Sequence, residues 1–317
     1  MLSRFRNHKS KSKEEGFFLK NGATMLEQLI HDFNGSCNPI RTYSVEELKK
    51  ATDDYNCNRI IYKGWNYQFF RAIHEDRQIL VKTTRRRSDR VIGDPVELIT
   101  NEVAIASNMS NHKNVLKLLG CCLETELPTL VFEFPAKGNL TLHIYRDSDH
   151  LLPWQIKLKI AIEVADAVAY LHQGMSKVII HRDIHVRCIF LDQDYAAKLS
   201  DFQVSLPIPS GETHVDLDDL GIVGYAPPEV VRQGRYTEKS DVYNLGMVLC
   251  EILTGKSIDV QVVPPRLLED NILEERNMRQ VIECSKLALR CIESDPNERP
   301  TMQEVSQALR LIKTFQQ

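Results

Sequence analysis

Hydrophobic positions change their period along this chain, and the changes divide it. Residues 1 to about 40 are polar and mixed, with no sustained apolar period. The stretch YSVEELKKATDDY then sets a helix. Ser44 stands at its cap, Glu47 three residues on completes a capping box, and Leu48 and Ala51 share the inward face. From 58 to about 83 the apolar residues turn β-branched and aromatic. RIIYKGWNYQFFRAI and QILVKTT read as strands separated by the polar turn HEDRQ. ELITNEVAIASNM returns to helical spacing, and VLKLLGCCLE and TLVFEF read as two further strands. Helices dominate afterwards. WQIKLKIAIEVADAVAYLHQ is long and amphipathic, SDVYNLGMVLCEILTG is apolar almost all round and marks a central helix, and MQEVSQALRLIKTF closes the chain. Strands gathered first and helices afterwards predict an α+β fold in two lobes.

Composition changes this picture little. The chain has 317 residues, 43% hydrophobic and 26% charged, enough to bury a core without metals or disulfides. A net charge of −3 argues against a polyanion binder, so no nucleic acid is expected as a partner. Eight cysteines (37, 57, 121, 122, 188, 250, 284 and 291) lie scattered without CxxC pairs, as free thiols in a reducing compartment do. The amino terminus MLSRFRNHKSKSKEE lacks a signal-peptide core, and Leu2 in place of glycine argues against myristoylation. No apolar run reaches bilayer length, so no transmembrane segment is expected and the chain reads as cytoplasmic. The basic cluster Arg4, Arg6, Lys9, Lys11 and Lys13 reads as a solvated, poorly ordered tail, with an anionic surface or a partner as its alternative contact.

Ordered signatures run from about residue 42 to the end: YSVEELKKATDDY, NEVAIASNMSNHKNVLKLLGCCLE, HRD, SDF, GYAPPEV, KSDVYNLGMVLCEILTGK and RPTMQEV. In these the chain resembles the plant receptor-like protein kinases, especially the wall-associated type. The resemblance implies a bilobal protein kinase fold, with 1–45 as an amino-terminal extension, 46–135 as a mainly β lobe and 136–317 as a mainly α lobe. It also implies which residues to inspect. Phosphoryl transfer asks the protein chiefly for positioning and charge stabilisation: a glycine loop, a lysine braced by a glutamate, oxygen ligands for Mg²⁺, and an aspartate to accept the substrate proton. Lys82 matches the strand lysine, Glu102 is its candidate partner, Asp183 of HRD matches the proton acceptor, and Asp201 of SDF matches the metal ligand. A lysine paired with a carboxylate is also a plain structural ion pair, and both aspartates also serve loop structure.

The departures are broader. Tyr62, Gly64 and Tyr67 stand at the three positions of the glycine loop, so only the middle glycine remains. A Cβ there blocks close approach of backbone N–H groups to phosphate. Phe69 replaces a valine and Leu80 a small alanine, putting carbon where a purine ring lies in the family, and overpacking such a slot costs about 1–3 kcal/mol. The pocket for nucleotide therefore reads as plugged. In HRDIHVRC, His185 replaces the lysine that steadies the γ-phosphate and Cys188 replaces the asparagine that holds the second Mg²⁺. A thiol is a poor ligand for so hard a cation. Gln203 replaces the glycine of DFG, which is expected to remove the freedom of the backbone turn beside the metal, and Ile222 replaces a threonine that links the substrate loop to the aspartate. Losing one preorganised contact costs about 3 kcal/mol, so several together imply activity decades below a working kinase.

Residues of shape persist. Glu229 and Arg299 are expected to tie the end of the activation segment to the carboxyl-terminal helices, with a surface ion pair as the alternative. Asp241 is expected to cap the central helix and hold the loop around His181 and Arg182. Asp216, Asp218 and Asp219 either supply negative charge to Arg182 or form a solvated acidic loop. Ser205, Ser210 and Thr213 are candidate modification sites, and Arg85, Arg86, Arg87 and Arg90 a basic patch. Together these losses and retentions resemble one plant subgroup, the cytoplasmic pseudokinases named for HopZ-triggered immunity deficiency. That likeness implies an adaptor for a nucleotide-binding leucine-rich-repeat immune receptor. Active receptor-like cytoplasmic kinases and bacterial effectors would be further partners, and membrane contact would come through partners. No cofactor is expected on that reading. The alternatives are a weak serine/threonine kinase using Lys82, Asp183, Asp201, ATP and Mg²⁺, and an inhibitor that sequesters an active kinase's partner.

Overall fold

A computed structural model describes residues 2–33, 35, 38–64, 66–85, 94–145, 151–217, 225–257 and 277–315, with side chains described from residue 11. The chain forms two compact units, 1–135 and 136–317. The first is mainly sheet and the second mainly helix, the α+β arrangement expected from the order of strands and helices.

The first unit opens with a helix, α1 (Leu2–Phe33). This differs from the unordered tail expected there. The helix is held by tertiary contacts rather than by a strong apolar period. Leu29 and Phe33 are buried, and the Asn21 amide donates to the carbonyls of Leu123 and Thr125, each at 2.9 Å. After β1 (Arg41–Thr42) comes α2 (Val45–Thr52), started by a capping box in which Ser44 and Glu47 exchange hydrogen bonds. The Ser44 backbone N–H, chief among several donors, holds the Glu47 carboxyl down at about 2. Strands β2 (Ile60–Lys63), β3 (Tyr67–His74) and β4 (Arg77–Thr84) follow. The β3–β4 hairpin turns through Glu75 and Asp76, both left-handed, as a two-residue hairpin of matching twist requires. Helix α3 (Pro95–Met109) is capped by Asp94, and β5 (Leu118–Cys122) and β6 (Thr129–Glu133) complete the unit.

The sheet runs β1-β5-β6-β4-β3-β2, with β1 parallel to β5 and its other pairs antiparallel. A side chain on Gly120 would collide with the Arg41 carbonyl, so glycine is what lets β1 approach β5. Strand period assigns residues to faces. Phe70, Ala72, Ile79, Val81 and Val131 share one face and form a core with Tyr43, Leu48 and Ala51 of the α2 region. The opposite face carries Tyr67, Phe69, Leu80, Lys82 and Phe132, since Phe69 pairs with Lys82 and Leu80 with Phe132 in register.

In the second unit, α5 (Trp154–Gln173) follows the short elements β7 (Gly138–Asn139) and α4 (Thr141–Ile144). The segment holding His181 to Ser205 is framed by short strands: β8 (Ile179–Ile180), β9 (Ile189–Leu191), β10 (Ala197–Leu199) and β11 (Leu206–Pro207). β12 (Val215–Asp216) pairs with β13 (Arg235–Tyr236) around α6 (Pro228–Gln233). Then come α7 (Glu238–Thr254), α8 (Met278–Cys291) and α9 (Met302–Thr314). Helix α7 is buried almost throughout. Its cap corrects the expectation for Asp241. Thr237 is the N-cap, accepting from the Lys239 N–H, and Ser240 completes the box. Asp241 lies a turn too far along to reach the leading amides and points inward instead.

One ion pair ties these elements. Arg299, fully buried, donates from both terminal nitrogens to Glu229 of α6 at 2.7 and 2.8 Å, and from Nε to the Glu293 carbonyl. Its guanidinium also lies 4.9 Å from the Tyr243 ring centroid on α7. Breaking such a pair strands a charge in the interior. Arg299→Met is expected to lower the unfolding free energy by about 3–5 kcal/mol, read from urea denaturation, whereas a surface pair would change it by less than about 1 kcal/mol.

Candidate functional site

In the first unit the site face of the sheet is filled by its own side chains. The Lys82 ammonium donates to both Glu102 oxygens of α3, at 2.9 and 2.7 Å. Both side chains are all but fully buried, at 1% and 2% exposure. On another side the ammonium lies 4.4 Å from the Tyr67 ring centroid and 5.7 Å from that of Phe69. A desolvated cation over an aromatic face is stabilised by about 2 kcal/mol. Tyr67 and Phe69 meet edge to face at 5.5 Å, Tyr62 lies 6.1 Å from Tyr67, and Phe69 leans on Phe132 at 6.5 Å. Leu80 is fully buried beneath. Gly64 keeps its hydrogen, but the space a Cβ would take is already met by Tyr67 ring atoms at 2.5–2.7 Å. The Gly64 N–H is also used, donating to the Tyr67 carbonyl at 2.9 Å.

In the second unit a single carboxylate organises the HRD segment. Asp241 accepts from the His181 and Arg182 backbone N–H groups at 2.8 and 2.9 Å, and its Oδ2 lies 2.8 Å from His172 Nε2. This hub holds Arg182 in a left-handed conformation (φ 70°). The Arg182 guanidinium bonds the Val204 carbonyl and covers the Tyr236 ring at 4.3 Å. His181 accepts at Nδ1 from the Asp183 N–H and faces the Ser200 carbonyl with Nε2. Burial pushes its pKa down, so it stays neutral.

Asp183, His185 and Cys188 come together. The Cys188 N–H donates to His185 Nδ1 at 3.1 Å, which assigns the imidazole proton to Nε2, 3.7 Å from Asp183 Oδ1. The Cys188 thiol donates to the His185 carbonyl at 3.0 Å, and burial, then the Asp183 charge, raise its pKa well above the usual thiol value. The cavity beside Asp183, lined in part by Arg182, Tyr225 and Asn244, measures about 10 Å³, room for one water. Asp201 is buried and left-handed at φ 72°. Gln203 is not among the left-handed residues, which corrects one expectation: glycine's freedom is not needed at 203, and the bend is carried by Asp201.

Other candidates are dispersed. Asp216 pairs with Arg235 at 3.2 Å and faces His214 at 3.5 Å, while Asp218, Asp219 and Ile222 lie outside the described residues. Ser205 is fully buried, donating to the His181 carbonyl, whereas Ser210 and Thr213 are exposed. Arg85 bonds Gln68, and Arg86, Arg87 and Arg90 lie outside the described residues.

The family model described as protein tyrosine and serine/threonine kinase matches residues 59–309. The chain belongs to the protein kinase family. Among its relatives in Arabidopsis thaliana, serine/threonine-protein kinase ZRK1 is 36% identical over 96% of this chain and 94% of its own length. Non-functional pseudokinase ZED1 is 39% identical over 78% of this chain and 73% of its own. Wall-associated receptor kinase-like 4 is 36% identical over 96% of this chain, which spans 42% of that relative's length. The chain is thus a kinase domain with both wall-associated kinases and named pseudokinases among its relatives. Among the described residues no helix is long and apolar enough to cross a membrane.

Protein kinases use ATP and Mg²⁺. The residues of this kinase domain do not fit that pair. The glycine position that would admit a phosphate lies against the Tyr67 ring, and the same ring covers the ammonium of the lysine that would grip it. Cys188 presents a neutral thiol already used as a donor, not an oxygen.

Sequence reasoning passed over two features. Phe132 joins the aromatic cluster, and its register opposite Leu80 was the available signal. Glu251 of α7, buried, accepts from the hydroxyls of Tyr145 and Tyr225 and raises both their pKa values alongside burial; nothing in the local pattern marks it.

Two measurements check these environments. Iodoacetamide at neutral pH is expected to label exposed Cys57 and to leave Cys188 unmodified until the protein unfolds, read by peptide mass spectrometry. The depressed His181 pKa means that the unfolded chain takes up a proton near pH 6.5 that the folded chain refuses. Stability from this group is complete above that pH and falls as pH falls, so the urea midpoint should drop between about pH 6.5 and 5, less steeply in His181→Gln.

Proposed function

We propose that this kinase domain is catalytically impaired and works as a pseudokinase adaptor in plant innate immunity, linking a nucleotide-binding leucine-rich-repeat receptor to effectors or effector-modified kinases. The observation that carries the loss of catalysis is the Tyr67 ring, packed on Gly64 and on the Lys82 ammonium. To admit a phosphate the protein must expel a buried ring and strip a cation of its partner, costs of several kcal/mol that binding would have to offset. The relatives ZED1 and ZRK2, the latter 35% identical over 96% of this chain, are both named non-functional pseudokinases, which supports the same reading. The adaptor role rests on the likeness to that subgroup and on retained struts such as the Glu229–Arg299 pair.

A weak serine/threonine kinase is the second reading, favoured by the intact Lys82–Glu102 pair and by the relative ZRK1, which is named a serine/threonine-protein kinase. Melting the protein with and without millimolar Mg·ATP separates the two. A site a hundredfold below the ligand concentration would add about 2.7 kcal/mol of stability; no shift is expected. Autophosphorylation should equal that of Asp183→Ala, and activity above that background would establish the second reading. For the adaptor role, tagged protein from plant tissue should co-purify with an immune receptor, and recovery of an active kinase without any receptor would instead favour sequestration.

A further inference from the structure

The outer face of α1 carries Leu19, Ala23, Leu26 and Ile30, spaced four, three and four residues apart, the a/d spacing of a helix seam. Asn21, on the opposite side, and Leu29, to one side, bury themselves in the unit and fix the helix, while Phe33, next in the same series after Ile30, is buried and ends the exposed stripe. Leu19 is 71% exposed, Leu26 55% and Ile30 56%, unusual for aliphatic residues in a row on a well-anchored helix. Gly16 and Gly22 flank the stripe without bulk.

The flanking charges indicate what covers it. Lys20 and Glu27, both exposed, occupy the same flank seven residues apart, and Glu15 lies beside the other flank. A lipid surface selects basic flanks; basic residues precede the stripe at Arg4, Arg6, Lys9, Lys11 and Lys13, but alongside it stand Glu15 and Glu27, which oppose a lipid surface. A second copy of the same helix suits it. In an antiparallel pair the equivalent flanks meet, so each Lys20 comes opposite Glu27 of the second copy, twice by symmetry. In the same register Leu19 meets Ile30 of the second copy and Ala23 meets Leu26, large against large and small against medium, with both layers apolar.

We propose that α1 is a self-association surface through which two copies of the chain pair antiparallel about a two-fold axis. The apolar seam is short, so the dimer is weak and concentration-dependent. It is independent of the impaired site and of the adaptor reading.

Sedimentation velocity of the full chain, from on the order of 1 to 300 µM, tests this. A monomer–dimer equilibrium is expected. Leu26→Glu should leave a monomer throughout, with unchanged circular dichroism and melting temperature because the position is exposed. Lys20→Glu should weaken association about tenfold or more, and Lys20→Glu combined with Glu27→Lys should restore it to within about threefold. A monomer at every concentration overturns the proposal, as does a dimer indifferent to Leu26→Glu or a charge exchange that fails to rescue. A monomer that floats with phosphatidylserine vesicles, and loses this in Leu26→Glu, assigns the stripe to membrane and equally overturns it.

Discussion

A lysine ammonium buried in the sheet is the constraint on which the first unit's site depends. Taken out of water, Lys82 requires compensation on every side, and it finds two carboxylate oxygens and an aromatic face. That demand fixes α3 against the sheet through Glu102 and fixes the ring of Tyr67, which in turn sits on Gly64. The aromatic neighbours Phe69, Tyr62 and Phe132 are then a consequence, since a ring held over a cation offers its edges to further rings.

The second unit solves a similar problem with one anion. Asp241, buried in the first turn of α7, takes two backbone N–H groups and lies against a histidine, and so sets the path of His181 and Arg182. Nothing in that arrangement depends on turnover. His185 and Cys188 complete it locally by bonding each other.

Much of this was legible in the residues. The capping box at Ser44 and Glu47, the alternation in β3 and β4, and the apolar length of α7 each have a local physical cause. The family motifs located Lys82, Asp183 and Asp201. What local pattern withheld was anything decided by distant contact. Helix α1 is polar on average and is held by Asn21 bonding a loop a hundred residues away. Asp241 reads as a cap because it opens a helix, yet Thr237 is better placed and the carboxylate is drawn inward by the HRD backbone. The bend carried by Asp201 instead of Gln203 is likewise set by the surrounding chain.

The two faces of the six-stranded sheet lead separate lives. Phe70, Val81 and Val131 pack toward α2, while Tyr67, Leu80 and Lys82 look the other way. Because a strand alternates, replacing a residue on one side leaves the packing of the other untouched. Such a framework tolerates exchanges on one face at small cost to the core built on the other.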